Sequence, residues 1–315
     1  MATLEGGKSR EPGGTISQIE EHAPPEKRGP RPGRQPKRRP KQITVPWVRR
    51  KQSRGEPLVM VTAYDYPQAR AAEAADVDIV LVGDSLAMVV LGHADTLSLT
   101  VEEMLHHVRA VRRGTERSLL VADMPFGSFH LSAEQAVANA LRFVKEGGAQ
   151  AVKIEGARPE IIEAITSAEI PVMAHLGLTP QSLHRFGGFK VQGKSAAARR
   201  ALIDAAVAVE EAGAFSLVLE CVPADLATEV SGRLSIPTIG IGAGVGCDGQ
   251  VLVYHDLLGL EDRLAPHFVR RYAELGEQTR DALTRYAEDV RSRQFPGEQE
   301  SFFKPSESKV ERLYG

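Results

Sequence analysis

The chain has 315 residues, 42% apolar, 25% charged and 5% aromatic, with a formal net charge of -2. That is enough for one large domain or two small ones, and it excludes a disulfide-stapled miniprotein or a fibrous chain. The near-neutral total joins two unlike parts: residues 1–42 hold ten Lys or Arg and five Asp or Glu, a balance of +5, so the remainder carries -7.

The opening segment, residues 1–42, has no apolar stretch of the secretory kind and contains Pro24, Pro25, Pro30, Pro32, Pro36 and Pro40 in a run of charge and glycine. It cannot bury enough surface to offset its ordering entropy and reads as disordered. Its KRGPRPGRQPKRRPK string would attract polyanions, but it lacks aromatic residues for base stacking. A solvated extension is the expectation, with nucleic-acid binding the lesser alternative.

From Leu58 onward, short apolar runs alternate with longer segments of helical period. The runs are Leu58–Ala63, Ile79–Gly83, Leu119–Asp123, Ala151–Glu155, Val172–His175, Ser216–Glu220, Thr238–Ile241 and Val251–Tyr254. Between them, helices are predicted over Pro67–Ala75, Val101–Arg113, Ala133–Glu146, Pro159–Ala168, Ala196–Ala212 and Ala224–Arg233. Thr100 and Ser132 serve as N-caps, Pro159 opens a first turn, and Gly114, Gly147 and Gly213 close helices. Apolar strands spaced by helices make a parallel sheet, and eight of them in this length predict a (β/α)8 barrel spanning 43–303. No G-x-G-x-x-G follows the first strand to favour a dinucleotide fold, although the interval from Ile241 to Val251 is too short for a full helix. His267–Arg293 reads as one or two amphipathic helices and Phe295–Phe303 as a segment packing on a neighbouring subunit, with 304–315 a closing tail. The longest apolar run, Ile79–Gly92, is interrupted by Asp84 and too short to span a bilayer. With only Cys221 and Cys247 there is no disulfide framework, and a reducing, cytoplasmic setting is expected.

Barrel enzymes carry their chemistry at the carboxyl ends of the strands. Those ends are polar here: Asp84 and Ser85 after the second run, Asp123 after the third, Lys153 and Glu155 on the fourth, His175 on the fifth, Glu220 on the sixth. Any one of these acids could be a helix N-cap, and Lys153 with Glu155 a structural ion pair. Their joint occurrence on five consecutive strands favours a site. Four carboxylates at one mouth need a compensating cation, and oxygen ligands without paired His or Cys indicate a hard ion, Mg2+ first. Lys153 and Glu155, two apart on a strand, share one face. Cys221, next to inward-facing Glu220, is expected to point outward. His106 and His107 are neighbours on a helix and cannot both face one site. The GIGAG segment, 240–244, serves either a phosphate or a tight backbone.

The strings VTAYDY (61–66), VGDS (82–85), GHADT (92–96), VKIEG (152–156), HLGLTPQS (175–182), FGGFKVQG (186–193), LECVP (219–223), IPTIGIGAG (236–244), DGQVLV (248–253) and FPGEQESF (295–302) resemble the ketopantoate hydroxymethyltransferase family. The resemblance implies a TIM barrel of the phosphoenolpyruvate mutase/isocitrate lyase type. It also implies a homodecamer built as a pentamer of dimers, and transfer of a one-carbon unit from 5,10-methylenetetrahydrofolate to 3-methyl-2-oxobutanoate with Mg2+. By motif, Asp84 and Asp123 correspond to metal ligands with Glu155 in the metal's shell. Asp84, Ser85, Asp123, Lys153 and His175 correspond to substrate contacts, and Glu220 to the proton acceptor. A Mg-dependent C–C or P–C lyase of the same superfamily is the alternative, but the KKCGH-type loop of those relatives is missing from the sequence.

Overall fold

A computed structural model describes residues 40–188, 190–260 and 266–302. The predicted disordered extension lies outside the described residues except for Pro40, Lys41 and Gln42, and the tail 304–315 lies outside them entirely.

Eight strands close into a barrel in which every neighbouring pair is parallel: β1 (Leu58–Thr62), β2 (Ile79–Val82), β3 (Leu119–Asp123), β4 (Ala151–Glu155), β5 (Val172–Gly177), β6 (Ser216–Glu220), β7 (Thr238–Ile241) and β8 (Gly249–Leu252). Helix α1 (Val45–Ser53) precedes the barrel. Then α2 (Tyr66–Ala74) follows β1, α3 (Leu86–Val89) and α4 (Val101–Gly114) follow β2, α5 (Ala133–Lys145) follows β3 and α6 (Pro159–Ser167) follows β4. A 3-10 turn at Pro180–Ser182, α7 (Leu183–Phe186) and α8 (Ala196–Glu211) follow β5, and α9 (Ala224–Arg233) follows β6. After β8 come α10 (Tyr254–Leu257) and α11 (Leu275–Arg291).

The helix starts are written in the side chains. Thr100 forms a full capping box with Glu103, Ser132 accepts from the Gln135 amide, and Pro159 stands in the first turn of α6. Gly114 has a different reason from the one its position suggests. It is the last residue of α4, and a Cβ there would lie 2.7 Å from Ala69 Cβ and 2.8 Å from the Tyr66 carbonyl oxygen, so it is small because α2 crosses it.

Strand alternation divides the apolar residues into two cores. Val80, Val82, Leu120, Ala122, Val152, Ile154, Leu217 and Leu219 pack outward under the helices. Leu58, Met60, Ile79, Leu81, Leu119, Val121, Met173, Val218, Ile239 and Val251 fill the barrel interior together with Ile43 and Val48, so α1 caps the amino end of the barrel. Sequence reasoning missed α1, a short helix that buries only Val48 and has no side-chain cap at its start.

The last strand is a correction. β8 begins at Gly249, two residues ahead of the predicted start, and stops before Tyr254, which opens α10. Propensity argued against Gly249, yet a Cβ there would lie 2.7 Å from Ile239 Cδ1 and 2.7 Å from Leu58 Cβ, so only glycine fits the pairing. As the short interval implied, no helix joins β7 to β8. Asp248 instead ties them, its Oδ2 accepting from the Thr238 N–H (2.8 Å) and hydroxyl (3.0 Å). The segment predicted as one or two helices contains a single long one, α11, of which no residue is buried.

Candidate active site

The inward parity that fills the barrel with Val121, Met173 and Val218 carries on at the carboxyl end as Asp123, Lys153, Glu155, His175 and Glu220. These five, with Asp84 and Ser85 from the turn after β2, line one cavity of about 420 Å³. Apolar Leu81, Val218, Ile241 and Val251 also line it. The structure thus brings every predicted site residue to one mouth. None of the acids serves as a helix cap: α3 is preceded by Ser85 without a side-chain cap, and α9 by Pro223.

Lys153 Nζ donates to both oxygens of Asp123, at 2.6 and 2.7 Å, with both groups buried. Asp123 Oδ2 also accepts from the Asp84 N–H at 3.3 Å. Burial opposes ionisation of Asp123 and raises its pKa, against the pull of Lys153. Asp84 is driven well above the usual carboxylate range, by burial first and then by the negative charges of Asp123 and Glu155. Burial alone would lower Lys153, but the acids Asp123, Glu155 and Asp84 outweigh it and keep the ammonium charged.

His175 lies between two carboxylates. Its Nδ1 is 3.4 Å from Glu155 Oε1 and its Nε2 3.3 Å from Glu220 Oε2, ion-pair distances without good hydrogen-bond direction. Burial and Lys153 push the imidazole pKa down, while Glu155 and Glu220 prevail and raise it to about 9. Glu155 feels burial most, yet His175 and Lys153 bring its carboxyl below the usual range. Glu220 is the most open member of the cluster, its side chain 16% exposed against 3% for His175. A glycine makes its placement possible: Gly177 has φ +95°, and a Cβ there would overlap the Glu220 carbonyl oxygen.

Cys221 departs from expectation. Its φ of +48° breaks strand alternation, so it lines the cavity beside Glu220 instead of facing outward. Burial raises its thiol to about 11, which keeps it protonated near neutrality. GIGAG meets the tight-backbone alternative: a Cβ at Gly242 would press on the Phe268 ring at 2.8 Å, and one at Gly244 would overlap Ala224. His107 contacts the Tyr64 carbonyl at 2.6 Å. Sequence reasoning also missed Tyr64, whose hydroxyl lies 2.8 Å from Ser85 Oγ, and Gln181, which contacts the acids directly. Both lie within quoted motifs, but neither type signals chemistry alone.

Among the described residues no three His, Cys, Asp or Glu side chains form a ready-made metal cage. Mg2+ seldom uses one, since it binds through one or two carboxylates and takes its remaining oxygens from water and substrate. Asp84 fits that mode: it is an oxygen donor whose burial among like charges favours a proton or a cation.

An eight-stranded parallel barrel with buried acids, a charged lysine and an open carboxylate at its carboxyl mouth is the architecture of a barrel enzyme. Solved structures of similar fold include a phosphonopyruvate hydrolase complex with oxalate and Mg++ (TM-score 0.53, 16% identity, 82% of this chain and 93% of that one). Another is 2,3-dimethylmalate lyase, described as a PEP mutase/isocitrate lyase superfamily member (TM-score 0.52, 17% identity, 80% and 89%). The likeness to both is one of fold, a closed parallel barrel of eight strands. The family model for ketopantoate hydroxymethyltransferase matches residues 42–298. Relatives named 3-methyl-2-oxobutanoate hydroxymethyltransferase include one from Carboxydothermus hydrogenoformans, 52% identical over 86% of this chain and 99% of its own length. One from Enterococcus faecalis is 56% identical over 83% and 95%. The chain belongs to the ketopantoate hydroxymethyltransferase family.

Proposed function

We propose that the chain transfers a hydroxymethyl unit from 5,10-methylenetetrahydrofolate to 3-methyl-2-oxobutanoate, giving 2-dehydropantoate, with Mg2+ as cofactor. Family membership supports this, and the observation that carries it is the division of the cavity between a buried Lys153–Asp123–Asp84 cluster and the more open Glu220. Asp84 and Asp123, with Glu155 beside them, would hold Mg2+, which would supply Lewis-acid polarisation of the 2-oxo group.

In this reading Lys153, kept charged by its acids, attracts the oxygens of the 2-oxo acid, and Ser85 offers a hydroxyl on the same wall. The branched alkyl end lies against Leu81, Val218, Ile241 and Val251. Glu220 takes the proton from C3, and His175 holds its carboxylate toward the substrate. The ammonium of Lys153 stabilises the enolate oxygen. The C3 electron pair then forms the new bond to the one-carbon unit. Both C–N bonds of the one-carbon unit to the folate break, water provides the hydroxyl oxygen, and the two folate nitrogens take up the proton from C3 and the remaining proton of the water, so that tetrahydrofolate leaves.

The proposal extends to a cytoplasmic homodecamer arranged as a pentamer of dimers. The free Cys221 and Cys247 suit a reducing compartment, and exposed Leu283, Tyr286 and Val290 on α11 give an apolar surface for subunit contact. Residues 1–42 stand outside the catalytic unit in this reading. No helix among the described residues is long and apolar enough to cross a membrane. The test is product formation from 3-methyl-2-oxobutanoate and methylenetetrahydrofolate with and without Mg2+. Turnover that needs both substrates and the metal is expected; none with Mg2+ present rejects the assignment.

A further inference from the structure

Gln181, in the 3-10 turn after β5, is buried and touches more of the acid cluster than any assigned residue requires. Its side-chain Nε2 donates to Asp84 Oδ2 at 2.8 Å and to the Met124 carbonyl at 3.0 Å. Its main-chain N–H donates to Glu155 Oε2 at 2.9 Å. One residue therefore ties the carboxylate after β2, the carboxylate ending β4, and the chain immediately after Asp123 on β3.

The amide orientation is set by the Met124 carbonyl, a pure acceptor that only the NH2 end can face. This leaves Oε1 buried with no partner among the described residues. A buried oxygen without a hydrogen bond is unfavourable, so the amide is turned by its donors despite that penalty. A hydrophobic residue of the same length would fill this space without the penalty. The two donated bonds are what glutamine adds.

We infer that Gln181 is a positioning residue that fixes the Asp84 and Glu155 carboxylates in the arrangement that receives a hard divalent cation. This rests on the Mg2+ reading above. Gln181 contacts acid oxygens and holds their rotamers; it is not itself a ligand. Residues that orient ligating carboxylates commonly change metal affinity about 10–100-fold when replaced.

The test is Mn2+ binding by the full chain without substrates, followed by electron paramagnetic resonance, for the parent, Gln181→Met, Gln181→Leu and Asp84→Ala. Methionine keeps the length but cannot donate. Leucine cannot donate either and adds no charge, so it serves if the methionine variant fails to fold. The expected result is about 10–100-fold weaker Mn2+ binding in either Gln181 variant at a melting temperature close to the parent's, with turnover recovered at high Mg2+. A purely structural lesion would lower the melting temperature and would not be rescued by metal. If Asp84→Ala loses Mn2+ while Gln181→Met binds it as tightly as the parent, the positioning role is overturned and the cation reading stands. If the parent binds no Mn2+, both are overturned.

Discussion

Lys153 closes on both carboxylate oxygens of Asp123, and both groups are buried. Removing one partner of such a pair leaves a desolvated charge, at a cost of about 3–5 kcal/mol. Lys153→Met should therefore lower unfolding free energy in metal-free buffer by about that amount and abolish turnover. Adding Asp123→Asn should recover part of the stability and none of the activity. Denaturant titration of the two single variants and the double variant checks this; purely additive losses would mean that the pair is not coupled.

Glu220→Gln keeps the shape of the side chain and removes the base. It should bind 3-methyl-2-oxobutanoate normally and cease exchanging the C3 proton with deuterated water, as read by proton NMR. Undiminished exchange would exclude Glu220 as the proton acceptor.

The proton on His175 makes stability depend on pH. In the folded chain the imidazole keeps it up to about pH 9, against an ordinary value of 6.5, so its contribution is full below pH 6.5 and is lost as pH rises through about 9. The melting temperature of the metal-free protein should fall across that interval, and His175→Asn should flatten the fall. Equal slopes in the two proteins would place the titration elsewhere.

Gly177→Ala meets two penalties at once, a left-handed backbone angle and an overlap with the Glu220 carbonyl. A destabilisation above about 1 kcal/mol is expected, with a fall in turnover because β6 must shift under its carboxylate. Thermal melting and steady-state rates measure both, and an unchanged rate would mean that Glu220 tolerates displacement of its own backbone.

Deleting residues 1–42 should leave kcat and KM unchanged. A large loss of turnover would bring the basic segment into the catalytic unit.

The barrel was legible because its signals are local and repeated: apolar strand runs, caps such as Thr100 and Ser132, and a first-turn proline at Pro159. The site residues followed from strand parity, which carries Asp123, Lys153, Glu155, His175 and Glu220 to one side. Where parity fails, sequence reasoning failed with it. Cys221 turns into the cavity through a positive φ that no neighbouring residue announces. Gly249 belongs to a strand because of what crosses it, and Gln181 matters because of acids distant in sequence, such as Asp84. Contacts set by tertiary approach leave no periodic trace.

Helix α1, seated with Ile43 and Val48 on the amino-end core, makes the barrel a blind well. Anything that reacts at the acid cluster arrives and departs by the same opening. Under the proposed function, two co-substrates of unequal size would share that opening, and the larger one seated first would obstruct the smaller. Ordered binding, with the 2-oxo acid first, is then the order expected of a door at one end only.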